Sequence, residues 1–109
     1  MQADELLALG MNHGTVRLWH LPTDTVFFEA QNQGVEIRSI AFSPDGRTLA
    51  VGGIDEAVHL WHVATGRNVL TFDQLGSSVH RVTFSPDGTH LLAALHDGTI
   101  RIWHAPAAP

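Results

Sequence analysis

The sequence contains no cysteine, no lysine and no tyrosine among its 109 residues. Without cysteine there is no disulfide framework, no thiolate metal site and no thiol nucleophile, and the lack of disulfides fits a reducing compartment. Basic charge is also scarce, since six arginines stand against eleven acidic residues and the net charge is -5. Because phosphate binding needs clustered basic charge, this balance argues against nucleic acid as a partner.

Long apolar runs are missing as well. No stretch approaches the ~20 apolar residues needed to cross a bilayer. The N-terminal segment carries acidic residues where a secretory signal would carry positive charge. We therefore expect no membrane association and a cytoplasmic location. The hydrophobic content of 44% is that of a globular chain with enough apolar material for a core.

The sequence does contain an internal repeat. Trp19, Trp61 and Trp103 are spaced by 42 residues, and the two Ser-Pro-Asp-Gly segments that begin at Ser43 and Ser85 have the same spacing. A period of this length usually indicates a repeat architecture. In all three copies the tryptophan is followed by histidine.

Short strands joined by tight turns are predicted along the whole chain. Apolar and polar residues alternate over short segments that are rich in β-branched and aromatic residues, which is typical of strands. We predict about ten strands and no helix, with residues 1–5 as a lead-in. The predicted strands cover residues 6–10, 15–20, 25–29, 35–42, 47–53, 58–62, 68–72, 79–84, 91–95 and 99–104.

The two Ser-Pro-Asp-Gly segments predict tight hairpin turns. Proline presets φ at roughly -65° at the second turn position, aspartate bonds the neighbouring backbone, and glycine adopts the left-handed conformation. Asp45 and Gly46 are assigned to the first of these turns, and Asp87 and Gly88 to the second.

A different turn is expected between the second and third strands of each repeat. Asp97-Gly98 suits a type I′ turn, in which both central residues have positive φ. Asp55-Glu56 stands at the same place in the preceding repeat, and Glu56 fits such a turn poorly, which predicts a wider or strained turn. The pair Gly52-Gly53 lies in the preceding strand, where it would permit close packing of sheets.

These features resemble the WD-repeat family of β-propeller proteins. The middle copy matches at residues 40–46, Asp55 and Leu60-Trp61, the last copy at 82–88 and 97–103, and the first copy at 13–19. The resemblance implies an all-β fold, a β-propeller segment of four-stranded antiparallel blades, with about 2.5 blades and a 42-residue repeat. The implied division is a partial blade at residues 6–30, a complete blade at 35–72, a partial blade at 79–104 and a tail at 105–109.

The chain also departs from the family pattern, which suggests divergent, bacterial-type repeats. The family's Trp-Asp becomes Trp-His in all three copies, and the expected Gly-His and serine positions are replaced. The family locks each blade with a buried His–Ser–Asp–Trp network, of which only Asp55 with Trp61 and Asp97 with Trp103 remain here. The resemblance therefore implies that the blades rely more on apolar packing than on a polar network, with the tryptophans in the core.

The length leaves two alternatives for closing a ring. A propeller typically has four to eight blades, and this chain is shorter than three full repeats. Either further blades belong to a longer chain, which we favour, or several copies assemble head to tail.

Eight histidines are many for this length, and His20, His62 and His104 recur at one position of the repeat. We do not expect these three to share a metal ion, because they end the third strand and the blades diverge with radius. We interpret each of them as a turn-bonding residue at the end of its strand, in place of the family's aspartate. No metal, cofactor or catalytic residue is predicted, since nothing places a base beside a nucleophile.

The functional prediction rests on surface loops. The loops that enter the innermost strands, residues 31–36 and 74–78, and the turns at 54–56 and 95–97 are expected on one rim, which the family uses for protein partners. The candidate partner-binding residues are Glu36, Arg38, His80 and His96. We predict a non-enzymatic protein–protein interaction scaffold. The alternative is the regulatory or sensor propeller of a larger bacterial signalling enzyme, a kinase or NTPase, whose catalytic domain lies outside this chain.

Overall fold

The computed structural model describes residues 2–3, 6–10, 15–20, 25–31 and 36–104. These residues form eleven strands and no helix, and so contain none that could cross a membrane. The strands are β1 (Gln2–Ala3), β2 (Leu6–Gly10), β3 (Thr15–His20), β4 (Thr25–Gln31), β5 (Ile37–Phe42), β6 (Thr48–Gly53), β7 (Val58–His62), β8 (Arg67–Phe72), β9 (Val79–Phe84), β10 (His90–Leu95) and β11 (Ile100–His104).

The strands pair into three antiparallel sheets in chain order, β1–β4, β5–β8 and β9–β11, which we call the first, middle and last blades. Neighbours in sequence pair because their connections are too short for any other arrangement. In the middle blade Leu49 lies opposite both Phe42 and Trp61. The last blade repeats this register 42 residues later, with Leu91 opposite Phe84 and Trp103. The predicted all-β fold of antiparallel blades is confirmed.

The strand boundaries differ from the predicted ones by at most two residues, with one addition. The strand β1 lies within the residues that we expected to be a lead-in. It pairs with β2, where Ala3 lies opposite Leu6, so the first sheet has four strands and not three. The predicted tail at 105–109 lies outside the described residues.

The two Ser-Pro-Asp-Gly turns have the expected geometry. In the first, the Gly46 amide donates to the Ser43 carbonyl at 2.9 Å, and the Ser43 amide donates to the Thr48 carbonyl at 2.8 Å. Gly46 has a φ of +74° and Gly88 one of +75°. The positive φ lets the chain reverse within one turn and enter the next strand in register.

The turns between the second and third strands differ from expectation at one point. Among the residues of the Asp97-Gly98 turn only Gly98 has positive φ, so the predicted type I′ turn is wrong. The Gly98 amide donates to the Leu95 carbonyl at 3.0 Å, and Asp97 accepts bonds from the amide and hydroxyl of Thr99. These bonds hold Asp97 in an ordinary turn conformation. The strain expected at Glu56 is present, since its φ is +61°.

Two apolar clusters build the core on either face of the middle blade. One contains Phe42, Leu49 and Val51, with Trp61 packed against it. The other fills the space between the middle and last blades, and its buried members are Ala41, Ala50, Val58, Leu60, Leu75, Val79, Val82, Leu91, Ala93 and Leu95. A blade whose two faces are both apolar is stable only when other sheets cover them, so blade stacking is the main source of stability here.

Two glycines in β6 give room for close contacts, one between blades and one within the middle blade. A Cβ added at Gly52 would lie 2.5 Å from Cγ1 of Val79, a residue of the last blade. A Cβ added at Gly53 would collide with the backbone oxygen of Glu36. Gly52 thus permits the close packing of sheets that the sequence predicts, and Gly53 permits the close approach of Glu36 within the middle blade.

The tryptophans lie between blades where their side chains are described. Trp61 packs against the cluster that contains Leu49. Trp103 stacks on Phe72 of the middle blade, with ring centroids 4.4 Å apart and ring planes 14° from parallel. Both are partly buried, and the side chain of Trp19 lies outside the described residues. The Phe72–Trp103 stack joins two blades at their outer strands.

The far face of the last blade is exposed. Ile100 and Ile102 are 63% and 61% exposed. Their counterparts one repeat earlier, Val58 and Leu60, are fully buried in the cluster that joins the middle blade to the last. The same face of the repeat is therefore covered in one copy and uncovered in the next.

Candidate functional site

The candidate site is the edge of the blades where the loops into the innermost strands meet the hairpin turns. We call it the loop rim and define it as residues 36–38, 54–56, 73–80 and 95–98. In the middle blade the Ile54 amide donates to the Glu36 carbonyl at 3.2 Å. The Leu75 amide, in the loop that leads to the last blade, donates to the Glu56 carbonyl at 3.2 Å. This second bond links the loop rim across two blades.

The last blade contributes to the loop rim in the same way. The His96 amide donates to the Ser78 carbonyl at 2.9 Å, and the Asp97 amide donates to Oγ of Ser77 at 3.1 Å. Loops and turns that are distant in sequence thus lie side by side, as the sequence predicts. Of the first predicted loop, residues 32–35 lie outside the described residues, and Gln31 ends β4.

The predicted partner-binding residues Glu36 and Arg38 form an ion pair on the loop rim. Nε of Arg38 donates to Oε2 of Glu36 at 2.6 Å, with the two side chains 48% and 39% exposed respectively. An exposed pair of this kind contributes about 0–1 kcal/mol to stability. Its structural effect is to orient the guanidinium group of Arg38 at the surface.

The other two predicted residues, His80 and His96, are exposed. His80 lies on β9 at the position that Arg38 occupies on β5. These two innermost strands are neighbours, because the Val82 amide of β9 donates to Oγ of Ser39 on β5 at 3.0 Å. His96 lies in the turn between β10 and β11. The structure therefore brings Arg38 and His80 onto adjacent strands and places His96 on the turn beside them.

A polar network that the sequence reasoning missed begins at the turn of the middle blade. Oδ2 of Asp55 lies 2.8 Å from Nε2 of His59, and Nδ1 of His59 lies 3.1 Å from Oγ1 of Thr71. Thr71 donates to Oδ1 of Asn68 at 3.2 Å, and Nδ2 of Asn68 donates to the Leu60 carbonyl at 3.2 Å. The network crosses the two outer strands of the blade and ties them to the turn.

The hydrogen-bond directions are fixed at the Asn68 end of this network. The Asn68 amide group donates to backbone carbonyls, so its oxygen accepts the proton of the Thr71 hydroxyl. Nε2 of His59 can donate to the Asp55 carboxylate, and Nδ1 of His59 lies against Oγ1 of Thr71. Hydrogen bonds with a charged acceptor are about twice as strong as neutral ones.

This network corrects the pairing that the resemblance implied for the middle blade. Asp55 bonds His59 and not Trp61. A sequence signal for it exists, because the residue two places before each tryptophan is basic: Arg17, His59 and Arg101. In the last blade Arg101 donates to the Leu75 carbonyl at 3.4 Å.

Asp97 and Asp87 are held by hydrogen bonds that stabilise their charged forms. Bonds from the side chain and backbone of Thr99 lower the pKa of Asp97, and Arg101 adds to this effect. Bonds from the Ser85 hydroxyl and from Thr89 lower the pKa of Asp87 to about 2. Asp45, the counterpart of Asp87, has its pKa lowered in the same way. All three carboxylates act as turn-forming acceptors.

The polar residues of the described part of the chain do not gather into a metal centre with three or more His, Cys, Asp or Glu ligands. In particular, His62 and His104 lie in separate blades, each at the end of a third strand. The side chain of the third repeated histidine, His20, lies outside the described residues.

Two models of known protein families match this chain, and both describe domains built from WD repeats. Residues 2–78 match the family model of the anaphase-promoting complex subunit 4 WD40 domain, and residues 66–104 match that of the WD domain, G-beta repeat. The first match alone covers more than half of the chain. A search of curated proteins found no match to this chain. With its 42-residue repeat and its antiparallel blades of three or four strands, the chain belongs to the WD-repeat family of β-propeller proteins.

Proposed function

We propose that this chain is a non-enzymatic scaffold that binds a partner protein through the loop rim. WD repeats generally mediate protein–protein interaction. The observation that carries the proposal is the position of Ile54, which is 47% exposed and whose amide is bonded to the Glu36 carbonyl. An exposed apolar residue is therefore bonded through its backbone to Glu36, one member of the Glu36–Arg38 ion pair. Interfaces commonly combine an apolar centre with a polar border, and arginine is enriched among their residues.

The chemistry of the rim supports a particular kind of partner surface. Arg38 offers several donors in a fixed plane, which suits a carboxylate of the partner. Ile54 suits an apolar side chain beside that carboxylate. His80 and His96 are exposed and offer further hydrogen-bonding groups on the last blade.

The hydroxyl groups that could act as nucleophiles already donate hydrogen bonds that hold the fold, which supports a role without catalysis. The Asp55–His59–Thr71 chain has the residue types of a nucleophile with its base. However, the Thr71 hydroxyl donates its proton to Asn68 and so does not point toward an acceptor on His59. Ser43 and Ser85 donate to Asp45 and Asp87 within their turns.

Quantitative affinity capture with matched variants tests the proposal. The triple variant Glu36→Ala, Arg38→Ala and His80→Ala should lose specific partner proteins that the wild type binds, with at least a tenfold loss of affinity for a purified partner. Arg67→Ala, which removes an exposed arginine on β8 far from the loop rim, should retain them. An unchanged set of partners with the triple variant would show that the rim is not the binding surface. Unfolding followed by tryptophan fluorescence verifies that each variant is folded.

The exposed face of the last blade supports a second part of the proposal, that a further blade of a longer chain packs there. Ile100 and Ile102 occupy the positions at which Val58 and Leu60 are buried by the next blade. The incoming blade cannot be an exact copy, because Ala94 stands where Gly52 gives room to Val79. The incoming blade should therefore have a residue smaller than valine at the position that corresponds to Val79. A discrete oligomer in a measurement of mass in solution would favour the head-to-tail alternative, and aggregation or a disordered monomer would favour the longer chain.

A further inference from the structure

We propose that His90 and His104 form a binding site for a divalent transition-metal ion, with Zn²⁺ as the reference ion. The two residues lie directly opposite each other on β10 and β11. Both side chains are exposed, so an ion can reach them without opening the fold. The sequence predicts no metal, but that argument compared histidines of different blades, whereas this pair lies within one blade.

The separation of the two rings suits one shared ion. Their centroids are 5.5 Å apart and their planes are 71° from parallel. With metal–nitrogen bonds of ~2.0–2.1 Å, two imidazole rings on a tetrahedral ion have centroids about 5.2 Å apart. The centroid separation therefore lies within a few tenths of an ångström of the value that one shared ion requires.

A hydrogen-bonded chain fixes the orientation and tautomer of His90. The Thr89 hydroxyl donates to Oδ1 of Asp87 at 2.8 Å, and it lies 2.9 Å from Nδ1 of His90. Because a hydroxyl has one proton and Asp87 takes it, Thr89 must accept from Nδ1–H of His90. Nε2 then carries the free lone pair. Metal-binding histidines typically donate their second ring nitrogen in this manner, which fixes the ring.

The ligand atoms are free of competing bonds. Among the described residues, Nε2 of His90 and the ring nitrogens of His104 have no hydrogen-bond partner. Imidazole nitrogen suits Zn²⁺, Cu²⁺ and Ni²⁺ rather than Mg²⁺ or Ca²⁺. With two protein ligands, water or a side chain of a bound protein would complete the coordination.

The repeat supplies an internal control, because the paired histidines occur in one blade only. In the middle blade the corresponding opposed residues are Thr48 and His62. In the first blade they are Leu6 and His20. His62 therefore shares the strand position of His104 but lacks a histidine opposite it.

Isothermal titration of the untagged protein with ZnCl₂ tests the site. The wild type should bind one Zn²⁺ per chain, and His90→Gln and His104→Gln should each weaken binding at least tenfold. His62→Gln should bind as the wild type does. Equal affinity in His90→Gln and the wild type, or equal losses in His62→Gln and His104→Gln, would overturn the proposal.

A second measurement separates coordination from a general change in the fold. Zn²⁺ should shift the imidazole NMR signals of His90 and His104 and leave that of His62 in place. Thr89→Val should weaken Zn²⁺ binding by about tenfold, the lower end of the usual effect of losing such a supporting hydrogen bond, while Thr89→Ser should restore it. Shifts confined to other histidines would refute the assignment.

Discussion

Oδ2 of the Asp55 carboxylate lies 2.8 Å from Nε2 of His59, and the two side chains are only 21% and 19% exposed. The pair joins the turn of the middle blade to its third strand, and through Thr71 and Asn68 to the fourth. The other carboxylate oxygen of Asp55, Oδ1, is buried without a hydrogen-bond partner among the described residues. The favourable contacts of this carboxylate are thus concentrated on His59.

Replacing His59 should destabilise the fold. In His59→Leu the largely buried Asp55 carboxylate loses its donor, which should lower the free energy of unfolding by about 1–3 kcal/mol, less than for a fully buried pair because water reaches one-fifth of each side chain. Urea denaturation followed by tryptophan fluorescence measures this. His80→Leu, at an exposed position, should change it by less than about 0.5 kcal/mol.

The interaction itself is isolated by a double-mutant cycle. Asp55→Ala and His59→Leu should together cost less than the sum of the two single losses, with a coupling of at least about 0.5 kcal/mol. Strictly additive losses would show that Asp55 and His59 do not stabilise each other.

The strained backbone at Glu56 predicts a stabilising substitution. Glu56 has a φ of +61°, which costs a residue with a side chain about 1 kcal/mol or more relative to glycine. Glu56→Gly should therefore raise the free energy of unfolding by about 1 kcal/mol. The counterpart Gly98, with a φ of +90°, provides the reverse test, since Gly98→Ala should lower it. A loss of stability in Glu56→Gly would mean that the Glu56 side chain contributes more than the strain costs.

Much of the fold could be predicted because the repeat fixes the register. Phe42, Leu49 and Trp61 recur 42 residues later in the same pairing, so the strands of one blade predict those of the next. The strand β1 could not be predicted in this way. It contains only Gln2 and Ala3, too few residues to show an alternating pattern.

The site was harder to predict than the fold, since side-chain partners depend on contacts across strands. His59 meets Thr71 only because β7 and β8 place them opposite each other. The turn at Asp97 was misjudged because the capping bonds from Thr99 favour an ordinary conformation there. The assignment of Glu36, Arg38, His80 and His96 to partner binding stays a prediction.

The contact between Gly52 and the last blade predicts a steric effect with a specific rescue. In Gly52→Ala the new Cβ would lie 2.5 Å from Cγ1 and 3.0 Å from Cβ of Val79, so the blades must separate. We expect a loss of about 1–3 kcal/mol in the free energy of unfolding. Adding Val79→Ala removes Cγ1, the closest atom, while Cβ of Val79 and Cγ1 of Val82 remain at 3.0 and 3.1 Å, so the rescue should be partial.

The rescue distinguishes a clash between blades from a local effect on β6. The double variant Gly52→Ala, Val79→Ala should lose less stability than the two single variants combined. Losses that simply add would place the effect of Gly52 within its own strand.

The lowered pKa of the Asp87 carboxyl group predicts that the stability of the fold depends on pH. Folding lowers the pKa of Asp87 from 3.8 to about 2, chiefly through the Ser85 hydroxyl and the bonds from Thr89. A lowered pKa means that the charged form stabilises the fold, so this contribution is complete above about pH 4 and is lost as the pH falls toward 2. Asp87→Ala should therefore unfold at a lower temperature than the wild type at pH 6, with a difference that shrinks between pH 4 and pH 2. A constant difference for Asp87→Ala down to pH 2 would show that the loss is not electrostatic.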